Sequence, residues 1–260
     1  MNYFSEENGS LIFRENGETV MVTPWGTNSL RVRSAILGEI KETEAALLPK
    51  EEISGGVIHL EEDGMSAVIT NGAIAAKLIV QPWGRALQIT FTDADGKVLL
   101  QEIENGGALQ LKARQFKTLP GGSFRLKASF ISDPKEKIYG MGQYQQERMN
   151  LKGCSLELAH RNSQASIPFY VSSLGYGFLW NQSGHRRGAF RAEHGRSGWQ
   201  RVRDSWITGS RLEIRRQRSW KRTRMRPEKH PMMPAVRSWI LAVGKLRYYN
   251  QDRYWILRRI

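Results

Sequence analysis

Residue types able to do chemistry occur in this chain, but few stand at the spacings that chemistry requires. Cys154 is the single cysteine, which excludes an intrachain disulfide and a cysteine-based metal site. The five histidines, His59, His160, His185, His194 and His230, show no metal-ligand spacing. Gly140-Met141-Gly142 lacks the third glycine of a dinucleotide fingerprint. No metal and no organic cofactor is expected. Trp25, Trp83, Tyr144, Phe169, Tyr176 and Trp180 could stack on the faces of pyranose rings, although such side chains more often fill a core or an interface.

Charge is distributed unevenly. Residues 1–184 hold 18 Lys and Arg against 20 Asp and Glu, whereas residues 185–260 hold 21 against 5. Eighteen of those 21 cations are Arg, interleaved with Trp199, Trp206 and Trp220. That composition suits phosphate contact and base stacking. One function class is therefore a non-enzymatic β-domain whose polybasic tail, 185–260, binds nucleic acid or other polyanions non-specifically. No nucleic-acid motif accompanies the charge, and accidental charge without an evolved site is the plainer reading.

The elements that must position any site are strands. Leu11–Phe13 and Thr19–Val22 flank Asn16-Gly17, Ala67–Thr70 and Ala73–Val80 flank Asn71-Gly72, and Ala86–Thr92 and Lys97–Leu100 flank Asp95-Gly96. Asn-Gly and Asp-Gly supply the positive φ that tight hairpins need. Leu30-Arg31-Val32-Arg33, Leu87-Gln88-Ile89-Thr90-Phe91 and Leu109-Gln110-Leu111-Lys112-Ala113 alternate with a period of two, the mark of half-buried antiparallel strands. Only Ile40–Leu48 looks locally helical. Many strands with closely spaced turns point to a sandwich. No apolar run approaches the roughly 20 residues that span a bilayer. The opening MNYFSEENGSLIF lacks the basic and then apolar pattern of a secretory leader. A cytoplasmic protein is the expectation.

Several ordered pieces carry a family resemblance. Pro24-Trp25-Gly26 with Leu30–Arg33, the hairpin within Leu87–Glu102, Ile138-Tyr139-Gly140-Met141-Gly142-Gln143, Arg161-Asn162 before Ile167-Pro168-Phe169-Tyr170, and Gly175–Asn181 stand in sequence. Trp206-Ile207-Thr208, Pro231-Met232-Met233-Pro234 and Lys245–Asp252 follow. Together they resemble the N-terminal region of family-31 glycoside hydrolases, the α-glucosidase and α-xylosidase family.

The resemblance implies a mainly β fold. It comprises a galactose-mutarotase-like antiparallel β-sandwich over 1–182, an irregular and possibly disordered Arg-rich connection over 183–230, and over 231–260 a remnant of the first strand and turn of a (β/α)8 barrel. Family islands separated by foreign Arg-rich text after about residue 184 are what shifted reading frames would give. The implied activity is retaining hydrolysis of O-glycosyl bonds in α-xylosides or α-glucosides, with a carbohydrate as substrate partner. Such chemistry uses two carboxyls about 5–5.5 Å apart, and in the family both lie downstream of residue 260. No catalytic residue is therefore assigned within this chain, and by itself it is expected to be inactive. Arg161 and Asn162, before the IPFY strand, and Arg247 and Tyr248, at the end of the first barrel strand, are the implied substrate-binding residues.

Overall fold

The computed structural model describes residues 2–40, 55–82, 85–104, 112–119, 123–144, 148–159, 162, 164–180, 186–190, 195–201 and 210–216. Its strands, in chain order, are β1 (Phe4–Glu7), β2 (Ser10–Glu15), β3 (Glu18–Pro24), β4 (Ser29–Ile36), β5 (Val57–Leu60) and β6 (Ser66–Asn71). Next come β7 (Ile74–Val80), β8 (Leu87–Asp93), β9 (Val98–Gln101), β10 (Arg114–Leu119), β11 (Ser123–Ser132) and β12 (Ile138–Gln143). The last are β13 (Ser155–Leu158), β14 (Ala165–Ser172), β15 (Tyr176–Trp180), β16 (Arg186–Ala189), β17 (Gly195–Arg201) and β18 (Ser210–Arg216). They form three antiparallel sheets: β1-β2-β3-β4-β18-β15-β14-β12, β10-β11-β17-β16-β13, and β5-β6-β7-β8-β9. Among the described residues no helix is long and apolar enough to cross a membrane. Ile40–Leu48 lies outside the described residues except for Ile40 itself.

Local turn chemistry explains the hairpins. Asn16 and Gly17 both take positive φ between β2 and β3, and Asn8 and Gly9 do the same between β1 and β2. Two consecutive left-handed residues give the twist that matches the flanking strands. Asn71-Gly72 turns differently. Asn71 closes β6 opposite Ile74, and its buried amide donates to the carbonyls of Gly26 and Ser29 at 2.8 and 2.7 Å. Ala73 N–H donates back to Asn28 Oδ1 at 2.7 Å, so the β6–β7 and β3–β4 turns interlock. A Cβ on Gly72 would lie 2.2 Å from the Thr27 carbonyl oxygen, which leaves glycine as the residue that fits.

The core draws Leu11, Phe13, Val20 and Leu30 from the first sheet, Leu126 and Phe130 from the second, and Ile69, Leu78, Ile89 and Phe91 from the third. Phe130 meets Phe178 edge-on at 5.7 Å, and Tyr170 stacks on Phe178 at 5.0 Å. Strand β4 departs from the half-buried expectation. Arg31 and Arg33 are only 2% and 5% exposed, because Arg31 lies over the Trp25 ring at 4.6 Å and Arg33 reaches Met21 Sδ at 2.9 Å. Both faces of this strand are covered, so its alternation separates two buried environments rather than core from water.

The Arg-rich stretch read as irregular contributes three strands. β18 lies between β4 and β15, with Leu212 opposite Val32 and Trp180, and Ile214 opposite Leu30 and Phe178. β16 and β17 join β13 to β11. The physical reason is the period of two in Leu212-Glu213-Ile214, which the surrounding arginines obscure. The chain divides into Met1–Trp220 and Lys221–Ile260. The second unit, with the expected barrel remnant, lies outside the described residues.

Glu136 fixes the β11–β12 turn. Its buried carboxylate accepts hydrogen bonds from Ser172 Oγ and from Tyr176 OH at 2.7 Å, with Lys152 Nζ at 3.3 Å. The Tyr170 and Tyr176 hydroxyls are 3.3 Å apart. Burial first, and then the neighbouring Glu136 charge, push the Tyr170 phenol above the usual tyrosine range; burial first and then Tyr170 and Glu136 do so for Tyr176. Both stay protonated in the fold while unfolded tyrosine ionises near pH 10. The stability they contribute is therefore complete below about pH 10 and is lost as pH rises toward the folded values. The expected loss is about 1.4 kcal/mol per pH unit for each tyrosine. Urea unfolding between pH 9.5 and 11.5 should show this fall, and Tyr170→Phe/Tyr176→Phe should flatten it; equal slopes would contradict it.

Candidate functional site

One irregularity breaks the long sheet at its β12 edge. Between the pairs Gly140↔Tyr170 and Gly142↔Ser166, β12 advances two residues while β14 advances four. Pro168 lies within the longer segment, where its missing N–H costs no ladder bond. Met141, fully buried, takes φ +68, and Gly142 takes φ +103. A Cβ on Gly142 would sit 2.1 Å from the Ala165 carbonyl oxygen. Bulges of this kind redirect the chain and gather at functional rims.

The redirected chain brings Tyr144 over the start of β14. Its hydroxyl donates to Ser166 Oγ at 2.9 Å, and Ser166 Oγ donates to the Ala159 carbonyl at 3.0 Å. Desolvation raises the half-buried Tyr144 phenol above its ordinary range, and the Ser166 bond opposes this. Between Ala159 and Ser166 lies Asn162, an exposed turn residue. Of the four expected substrate-binding residues only Asn162 is described; Arg161, Arg247 and Tyr248 lie outside the described residues. Gln143 and Asn162 are exposed and Tyr144 is half-buried, and each carries a neutral hydrogen-bonding group.

The aromatic candidates divide by burial. Trp25, Tyr176 and Trp180 are buried, Phe169 is half-buried against Gly177, and Trp83 lies outside the described residues. Tyr144 is the member placed at the rim. Its link to Ser166 has no sequence spacing that announces it, since 22 residues and a bulge intervene. A concavity of about 500 Å³ lies elsewhere, between β9, the end of β11 and Leu174.

Among the described residues the two buried carboxylates, Glu136 and Glu102, are structural in their contacts. Glu136 is held as described above. Glu102 faces the guanidinium of Arg114 and accepts Ile89 N–H at 3.0 Å. Arg114 Nε also donates to Glu18 at 2.7 Å and Nη2 to the Leu87 carbonyl at 3.2 Å. Burial pushes the Glu102 carboxyl up, with the Arg114 charge opposing.

No family model matches the chain. Among individual relatives, an uncharacterized family 31 glucosidase of Pseudescherichia vulneris is 38% identical over 240 residues, covering 84% of this chain and 44% of the relative. Alpha-xylosidase A of Aspergillus niger is 25% identical over 213 residues, covering 72% of this chain and 27% of the relative. The crystal structure of a GH31 alpha-xylosidase from a soil metagenome, complexed with xylose, superposes with a TM-score of 0.78 and 34% identity, over 90% of this chain and 36% of that one. The chain thus spans less than half the length of the relatives it matches. With its antiparallel strands matching theirs in sequence and in space, the chain belongs to glycoside hydrolase family 31, as a match to part of that family's length.

Proposed function

We propose that this β-domain serves a retaining α-glycosidase that hydrolyses α-xylosides or α-glucosides, and that the turn carrying Arg161 and Asn162 contacts the sugar. Arg247 and Tyr248 line a sugar subsite in the same proposal. The observation that carries it is the joint agreement in sequence and structure with the soil-metagenome α-xylosidase, whose crystals hold xylose. The bulge sets the β12–β14 register, and Ser166 of β14 donates to the Ala159 carbonyl at 3.0 Å, on the N-terminal side of Asn162, the described member of that turn pair. In the same proposal the carboxylate pair that retaining hydrolysis requires comes from the family's barrel rather than from this sandwich.

The test uses a chimera in which residues 1–180 replace the matching part of the Pseudescherichia vulneris glucosidase. Arg161→Ala/Asn162→Ala in that chimera is expected to raise KM for 4-nitrophenyl α-D-xyloside or α-D-glucoside about tenfold, the loss of about one net hydrogen bond. The effect on kcat should be smaller. An unchanged KM would remove the turn from the sugar pocket.

A further inference from the structure

We propose that Asn8 is a modification site, at which the backbone nitrogen of Gly9 converts the carboxamide into aspartate and isoaspartate. The fold ranks the three described Asn-Gly pairs for this reaction in the order Asn8, Asn16, Asn71. By sequence the three are alike, since a following glycine places no Cβ beside the attacking nitrogen. The reaction needs only water. The Gly9 nitrogen bonds to Asn8 Cγ, the Cγ–Nδ2 bond breaks, and the nitrogen's proton leaves with the side-chain amine as ammonia. A five-membered succinimide remains. Water opens it at either carbonyl, giving hydroxyl to that carbon and a proton to the ring nitrogen. The new acid then ionises and its proton passes to the ammonia. Opening at Cγ gives aspartate; opening at the main-chain carbonyl gives isoaspartate and routes the chain through Cβ and Cγ. Either product adds a negative charge beside the exposed Glu6 and Glu7. Isoaspartate also lengthens the turn that holds β1, the strand that buries Phe4.

The ranking follows from what each turn must break. In the left-handed conformation, about φ +57° and ψ +47°, the following nitrogen stands trans to Cβ, so the turn opens before attack. The cost of that opening sets the rate. Asn8 and Gly9 are exposed at φ +50 and +66, and β1 lies at the end of its sheet. Among the described residues no hydrogen bond holds the Asn8 carboxamide or the Gly9 N–H, and the space around Gly9 is open. Asn16 takes the same turn, but the Gly17 carbonyl accepts Leu37 N–H at 2.7 Å. A Cβ on Gly17 would lie 2.9 Å from Leu37 Cδ2, so residue 37 also sits against this turn. Asn71 is 1% exposed, its amide donates to the Gly26 and Ser29 carbonyls, and Asn28 accepts Ala73 N–H beside it. All of these bonds must yield before Gly72 can attack. The ranking is independent of the sugar chemistry proposed above.

The experiment ages the 260-residue chain at mildly alkaline pH, folded and in urea, and follows each pair by peptide mass spectrometry. In the folded chain Asn8 should convert first, with Asn16 about fivefold slower for its one added hydrogen bond. Asn71 should be at least about thirtyfold slower than Asn8. In urea the three rates should fall within about threefold of one another. Equal rates in the folded chain, or any other order, would overturn the proposal. The same order persisting in urea would overturn it too, because sequence rather than fold would then set the rates. Asn28→Ala removes the acceptor for Ala73 N–H and should speed Asn71 about fivefold while leaving Asn8 unchanged. An unmoved Asn71 rate, or an equal rise at Asn8 from general loosening, would contradict the interlocked turns as its protection.

Discussion

Arg114→Met is expected to destabilise the domain by about 3–5 kcal/mol, the cost of leaving a buried charge without its partner. Arg114 and Glu102 are both buried, and the same guanidinium reaches Glu18 and the Leu87 carbonyl. These contacts join the start of β10 to β3, β8 and the residue that follows β9, so one side chain couples all three sheets. Methionine fills similar volume but offers no donor. Among the described residues, Glu102 would then keep the Ile89 N–H alone, and Glu18 would keep the hydroxyl of Ser34 at 2.9 Å. A loss of that size consumes much of the 5–15 kcal/mol typical of a folded domain. Urea unfolding measures it. Arg114→Met/Glu102→Gln should recover part of the loss, because the largest penalty is the unpaired carboxylate rather than the absent attraction. A cost below about 1 kcal/mol for the single change would mean that water reaches Glu102 and that the three sheets are joined by apolar packing alone.

The sequence made the strands legible where turn chemistry and alternation agree. Asn16-Gly17 marks its hairpin because both residues must take positive φ, and the same chemistry at Asn8-Gly9 makes the β1–β2 hairpin. Alternation on β4 placed Leu30 and Val32 correctly but not Arg31 and Arg33, since a period of two cannot distinguish water from a second buried layer. β18 was hidden for a different reason: its two apolar residues sit among arginines whose number dominates any compositional window. For the candidate site the sequence offered the Arg161-Asn162 pair, carried by family resemblance, of which Asn162 is described. The Gly140–Gly142 irregularity, the Tyr144–Ser166 bond and the Arg114–Glu102 pair depend on partners 12 to 30 residues apart brought together by sheet register. No local pattern encodes such meetings.

The second large effect is all-or-none and concerns turnover itself. Retaining hydrolysis needs a nucleophilic carboxylate and an acid/base carboxyl facing one bond. The described carboxylates with the deepest burial, Glu102 and Glu136, are each spent on structural partners. On the function proposed above, the sandwich carries the sugar-facing turn and the bond-breaking carboxylates come from the family's barrel. Joined to a barrel that supplies the carboxylates, the same strands should support catalysis, because their match to family-31 relatives extends over most of the chain.

The most direct measurement is hydrolysis of 4-nitrophenyl α-D-xyloside and α-D-glucoside by the 260-residue chain and by the chimera carrying its residues 1–180. The chain alone should release no 4-nitrophenol above buffer, and the chimera should turn over within about tenfold of the parent glucosidase, a barrier difference of about 1.4 kcal/mol. Hydrolysis by the chain alone, or a folded chimera without activity, would contradict the account.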